Sequence, residues 1–151
     1  MTDDERELRK KWFHSYVGRA STGIHRPRVE GILYACPCCG YPTMDERGCD
    51  DICLLCHWQD DGQDDPYAEE VWGGPNYSYS LEEARRNFQD HLTMYRVTDE
   101  ENFRRETAKN DRKRNLIELY EQIRSTADEA KAIDLRKQAR DLYESLRHAT
   151  I

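Results

Sequence analysis

The chain has 151 residues, 37% of them hydrophobic and 35% charged, with a formal net charge of −7. That is the size of one domain with a modest core. It contains no apolar run long enough to cross a bilayer, and its acidity argues against non-specific nucleic-acid binding.

Residues 1–20 read as a helix, with Leu8, Trp12, Phe13, Tyr16 and Val17 recurring mainly at three- and four-residue steps. Met1 to Lys11 is mostly charged and offers no secretory apolar segment, so a cytoplasmic location is expected. Residues 20–28 carry Gly23 and Pro27 and read as a linker. A domain of residues 30–79 follows, which holds all six cysteines, six of the eight glycines and four of the five prolines. Gly31 to Ala35 is a plausible strand, and the remainder is turns. Such a piece is too small and loop-rich to fold on apolar burial alone and needs a staple.

Residues 80–151 read as helical, because no glycine or proline follows Pro75. Ser80-Leu81-Glu82-Glu83 has the pattern of a capping box, in which Ser80 takes a first-turn amide and Glu83 reaches back. Leu81, Ala84, Phe88, Leu92 and Tyr95 mark one apolar stripe, and Leu116, Leu119, Tyr120 and Ile123 mark the next. Further boxes at Thr98-Asp99-Glu100-Glu101 and Thr126-Ala127-Asp128-Glu129 open two more segments. The last of these carries Ala130, Ile133, Ala139, Leu142, Tyr143 and Leu146. Residues 1–29 are thus an N-terminal helix and linker, and residues 80–151 a helical hairpin or bundle.

The cysteines supply the chemistry. Cys36-Pro37-Cys38-Cys39-Gly40 and Cys53-Leu54-Leu55-Cys56-His57 are two C-x-x-C pairs separated by thirteen residues. Each pair turns one knuckle, and the gap suits a short β-hairpin that brings the knuckles face to face. Cys36, Cys39, Cys53 and Cys56 are the expected ligands of a structural zinc ion, a closed shell with no position left for water. Iron on the same four thiolates, or buried cysteines without metal, are the alternatives. Gly40 supplies the positive φ a knuckle requires. Cys38 and Cys49 are left over and read as spare thiols, and His57 as a neighbour of the site. In the cytoplasm, six cysteines are metal ligands more readily than disulfides.

This stretch resembles the bacterial cysteine-rich CPCC family. The resemblance runs from Tyr34-Ala35-Cys36-Pro37-Cys38-Cys39-Gly40-Tyr41 through Cys53-Leu54-Leu55-Cys56-His57-Trp58 and Gln59 to Pro66. It continues in Gly73-Gly74-Pro75-Asn76 and ends in Ser80 to Phe88. The second knuckle departs from the usual aromatic or proline-rich filling with Leu54, Leu55 and His57, and Cys49 is particular to this chain. The resemblance implies a zinc-ribbon-like fold and a loose association with toxin–immunity neighbourhoods, and it brings no catalytic residues.

Asp60, Asp61, Asp64, Asp65, Glu69 and Glu70 form a run of six acids with no intervening base. They lack the ligand spacing of a calcium loop. They read as a solvated loop or as a negative face for a basic protein partner. Trp58 and Trp72 flank this loop and are expected to cover the apolar side of the metal knuckles. Gly73-Gly74-Pro75-Asn76 has no phosphate-loop pattern and reads as a tight turn leading to Ser80. Arg104, Arg105, Lys109, Arg112, Lys113 and Arg114 form a basic cluster, diluted by Glu101, Glu106, Asp111 and Glu118.

The expected architecture is α+β and small: a zinc-ribbon-like metal core with an N-terminal helix and a C-terminal helical hairpin or bundle. The expected function is a non-catalytic, zinc-stabilised protein-binding module. Its kind would be an immunity-type or adaptor protein whose partner is basic, such as a bacterial toxin. The alternatives are a nucleic-acid-binding zinc-ribbon regulator and a thiol- or metal-dependent enzyme acting through Cys38 or Cys49. No nucleophile–base motif stands among His14, His25, His57, His91 and His148.

Overall fold

The computed structural model describes residues 2–20 and 33–149, with side chains for 2–13 and 33–148. Most of the linker at 20–28 and the strand start at 31–32 lie outside the described residues, as do the side chains of Tyr16 and Val17. The architecture is α+β, as expected. Among the described residues there are five α-helices, α1 (Asp3–Ala20), α2 (Leu81–His91), α3 (Glu100–Thr107), α4 (Asn110–Ser125) and α5 (Glu129–Ala149). A two-stranded antiparallel sheet pairs β1 (Tyr34–Ala35) with β2 (Pro42–Met44). No described helix is long and apolar enough to cross a membrane.

The chain divides into two compact units, Met1–Ala108 and Lys109–Ile151. The first joins α1, the cysteine region, α2 and α3. Ser80 therefore begins a helix inside this unit. Its hydroxyl accepts from Glu83 N at 3.0 Å, as the capping pattern predicts. The Glu83 carboxylate does not reach back, because both its oxygens take Arg96, at 2.8 Å each. Leu81, Ala84 and Phe88 are buried as expected. The helix stops at His91, because Leu92 adopts a left-handed φ of 61° and its amide returns to Phe88 O. Tyr95, the last member of the predicted stripe, is buried from the turn beyond.

The docking face of α1 differs from the apolar stripe read in the sequence. Leu8 is 59% exposed, whereas Arg6, Arg9, Lys10 and Phe13 are buried. Their spacing is i, i+3, i+4, i+7, so this is one helix face. The apolar stems of the long cations cover the core, while the charged ends of Arg9 and Lys10 find partners at its edge. Arg9 lies over the Tyr41 ring at 4.4 Å, and Phe13 and Phe88 approach that ring from 6.5 and 6.4 Å.

In the second unit α4 and α5 form the expected helical hairpin. Leu116, Tyr120 and Ile123 are buried on α4, and Ala132, Leu135, Ala139, Tyr143 and Leu146 on α5. Ile133 is exposed, so the α5 stripe runs through Ala132 and Leu135 and not through Ala130 and Ile133. The cap of α5 is Asp128, whose carboxylate accepts from Lys131 N at 3.3 Å.

Candidate metal centre

Two copies of one backbone turn build the centre. In the first, Cys36 N donates to Tyr41 O at 2.8 Å and Gly40 N to Cys36 O at 2.9 Å. In the second, Cys53 N donates to Trp58 O at 2.8 Å and His57 N to Cys53 O at 2.9 Å. The strands lie where these turns need them. β1 and β2 flank the first knuckle, and a single bridge between Ile52 and Gln59 flanks the second. The hairpin expected between the knuckles is thus replaced by one small hairpin around each. Gly40 has φ 81°, the positive value expected there, and His57 takes φ 73° in the matching place.

The two turns bring Cys36, Cys39, Cys53 and Cys56 together. Their sulfurs all lie within 4.8 Å of one another, and the four residues have no exposed surface. Across the knuckles, Cys36 Sγ to Cys56 Sγ and Cys39 Sγ to Cys53 Sγ are both 3.7 Å. A tetrahedral ion with metal–sulfur bonds of about 2.3 Å separates its sulfurs by about 3.8 Å, so this set fits a four-thiolate metal ion. None of the six cysteines is in a disulfide.

Amides and a hydroxyl surround the sulfurs. Cys38 N points at Cys36 Sγ (3.3 Å), Cys56 N at Cys53 Sγ (3.4 Å) and Trp58 N at Cys56 Sγ (3.4 Å). Thr43 Oγ1, buried at the end of the first hairpin, sits 2.9 Å from Cys53 Sγ. Burial pushes the Cys36, Cys39 and Cys56 thiols up. Burial also opposes a Cys53 thiolate, but hydrogen bonds from the three other thiols and Thr43 outweigh it and bring that thiol well below its ordinary value. One buried sulfur is thereby prepared to hold negative charge, and a divalent cation would stabilise the rest as thiolates.

The matching turns explain Cys38. It stands where Leu55 stands in the second knuckle, and both are buried. Its thiol serves as a small apolar side chain outside the cluster. Cys49 is exposed, and a hydrogen bond with Glu46 together with nearby acids raises its pKa. His57 is no part of the cluster, since its Nδ1 meets Tyr95 OH at 2.6 Å. Trp58 is fully buried among the knuckles, but Trp72 is 45% exposed and stacks obliquely with Tyr67 instead of covering them.

Part of the acidic run is tied into this chain's own structure. Asp60 has no exposed surface and accepts from Arg47 Nε at 2.8 Å and Gly48 N at 2.7 Å. Asp64 accepts from Arg47 Nη2 at 2.7 Å and lies 3.2 Å from Lys10 Nζ. Asp65 pairs with Arg85 and Lys10. Asp61 receives the amide of Gln63, and Gln63 itself ties the loop through Tyr67 O (2.6 Å) and Glu70 O (2.7 Å). Of the expected negative face, burial withdraws Asp60, and Asp64 and Asp65 pair with this chain's own cations. Glu69 and Glu70 remain exposed.

Helix α2 and the turn after it clamp both knuckles. Arg85 donates to Pro37 O through Nε (3.1 Å) and Nη2 (2.9 Å), and Met94 N donates to Cys56 O at 2.8 Å. Sequence reasoning missed Thr43, Arg47 and Arg85. Only Thr43, four residues past Cys39, carried a positional hint. The basic cluster at 104–114 is divided between α3 and α4, which are separated at Ala108 and Lys109. Within it Arg105 pairs with Glu106 (2.9 Å), Arg114 with Asp111 (3.2 Å), and Lys113 is buried.

No curated protein and no solved structure matches this chain. A family model described as "Cysteine-rich CPCC" matches residues 34–111, just over half of the sequence. The match continues past Phe88, where the resemblance read in the sequence ended. It takes in both knuckles, the acidic loop, α2 and α3, so the chain belongs to the cysteine-rich CPCC family.

Proposed function

We propose that the protein is a non-catalytic, zinc-stabilised protein-binding module of the immunity or adaptor kind, acting in the cytoplasm on a partner with a basic surface. The observation that carries this reading is the closed set of four fully buried cysteine sulfurs, 3.7 Å apart across the knuckles. With Cys36, Cys39, Cys53 and Cys56 as ligands, zinc has no open position for water or substrate, and its binding energy becomes folding energy. The loop beyond the cluster presents Tyr67, Val71, Trp72 and Tyr77 at 45–68% exposure, beside Glu69 and Glu70. Aromatic side chains on a surface of this kind are the usual anchors of protein interfaces.

The test is purification of the full chain from its native cell with metal analysis, then reconstitution of any stoichiometric partner from purified components. One zinc ion per chain and a basic protein that rebinds in isolation support the reading. Iron would change the metal assignment, and nucleic acid in place of protein would move the function to a regulator. Folded chain without metal would sink the proposal at its base.

A further inference from the structure

The Pro37–Cys38 peptide lies between a cation and a candidate metal ligand. Its carbonyl, Pro37 O, accepts from Arg85 Nε at 3.1 Å and Nη2 at 2.9 Å. Its amide, Cys38 N, donates to Cys36 Sγ at 3.3 Å. The peptide is trans, so carbonyl and amide point apart, and guanidinium and sulfur stand at opposite ends of one dipole. A cation on the carbonyl draws electrons from the amide and makes it a stronger donor, since hydrogen bonds in a chain polarise one another.

That effect is little screened by solvent. The Arg85 side chain is 11% exposed, and Cys36 and Cys38 are buried. The Nη2 that meets Pro37 O also donates to Asp65 Oδ1 at 2.5 Å, with Asp64 Oδ1 at 3.8 Å. Arg85 thus stands between an acidic loop that offsets its charge and a knuckle that feels it. Its neighbour Arg86 is exposed and pairs with Glu82 at 3.2 Å, outside this chain of bonds. In the second knuckle Thr43 Oγ1 meets Cys53 Sγ directly, at 2.9 Å.

We propose that Arg85 is a positioning residue of the metal centre, favouring the Cys36 thiolate through the polarised Pro37–Cys38 peptide, and that Asp65 offsets its effect. The proposal rests on the four-thiolate metal reading and adds to it a control from outside the ligand set. A clamp that only held the knuckle in place would be loosened by removing either Arg85 or Asp65, with one sign. An electrostatic relay answers with two. Loss of the cation leaves Cys36 Sγ richer in electrons, and loss of the carboxylate leaves it poorer.

The experiment loads the full chain with cobalt(II), whose sulfur-to-metal charge-transfer band moves to lower energy as the sulfurs become richer in electrons. Arg85→Met should shift the band to lower energy and weaken zinc affinity by about tenfold or more, measured by chelator competition. Asp65→Asn should shift it to higher energy. Arg85→Lys keeps the charge and should fall between Arg85→Met and the wild type. Arg86→Gln removes an equal charge outside the bonded path and should leave band and affinity unchanged. An unmoved band in Arg85→Met, shifts of one sign in Arg85→Met and Asp65→Asn, or a shift in Arg86→Gln as large as in Arg85→Met would overturn the proposal. If Arg85→Met does not fold, Asp65→Asn decides alone: a band that stays or moves to lower energy overturns it. Wild type that takes up neither cobalt nor zinc would instead remove the metal reading itself.

Discussion

Gly40 and His57 occupy the same place in two copies of one turn, at φ 81° and 73°, each amide donating to the carbonyl of the cysteine four residues back. Glycine holds that conformation without penalty, whereas a residue with a Cβ pays about 1–2 kcal/mol. A Cβ at Gly40 would also meet Arg6 Cγ at 3.1 Å. Gly40→Ala is therefore expected to destabilise the metal-loaded protein by about 1–2 kcal/mol. His57→Gly should be about 1 kcal/mol more stable than His57→Ala, since both lose the Tyr95 contact and only glycine relieves the backbone. Denaturant unfolding of the three variants checks the order.

The cysteines should divide into two classes. Alanine at Cys36, Cys39, Cys53 or Cys56 is expected to abolish stoichiometric metal binding and the tertiary signal of the first unit, because three thiolates leave the shell open. Cys38→Ala and Cys49→Ser should each retain one metal ion per chain. Cys38→Ala should cost about 1–2 kcal/mol for a lost buried sulfur, and Cys49→Ser, at an exposed position, should leave stability unchanged. Metal analysis and near-UV circular dichroism separate the classes.

Thr43 is placed to tune the centre from outside the ligand set. Its hydroxyl lies 2.9 Å from Cys53 Sγ and supports the negative charge there. Thr43→Val keeps the shape and removes the donor. It is expected to weaken metal affinity by about 10–100-fold, with Thr43→Ser retaining most of it. Competition against a chromophoric chelator measures both.

Asp64 links α1 to the acidic loop, and this link is pH-dependent. Burial opposes its charge, but Arg47, Lys10 and the Asp65 amide prevail and hold its pKa at about 2, below the ordinary aspartate value of 3.8. A depressed carboxyl pKa gives stability that is complete above the unfolded value and lost as pH falls from about 4 towards 2. After allowance for the part of Asp64 that solvent reaches, Asp64→Asn should cost about 1–2 kcal/mol at neutral pH. The difference from wild type should shrink through that acid range. Measuring the difference cancels thiolate protonation, which acts on both proteins.

The cluster and the start of α2 were readable because their signals are local. C-x-x-C spacing makes a knuckle, and Ser80 three residues before Glu83 makes a cap. The docking face of α1 was not. Arg9 and Lys10 count as polar in any periodicity, and they bury because Tyr41, Asp64 and Asp65 supply partners from distant parts of the chain. The ion pairs of the acidic run were not legible for the same reason, since their cations Lys10, Arg47 and Arg85 come from three separate segments. The ends of α2 and α3 carried no glycine or proline. Leu92 accepts a left-handed conformation so that the next turn can deliver Met94 N to Cys56 O.

The burial of five cysteines and the exposure of Cys49 make the chain a single-thiol reagent in its folded state. A maleimide dye or spin label will enter at Cys49 alone and leave the cluster untouched. Mild oxidation will join two chains through that residue before it disturbs the metal. Because the surrounding acids hold the Cys49 thiol protonated, both reactions will be slow at neutral pH and quicken in alkaline buffer. Loss of that selectivity, with further thiols becoming reactive, is then a direct optical reading of metal loss.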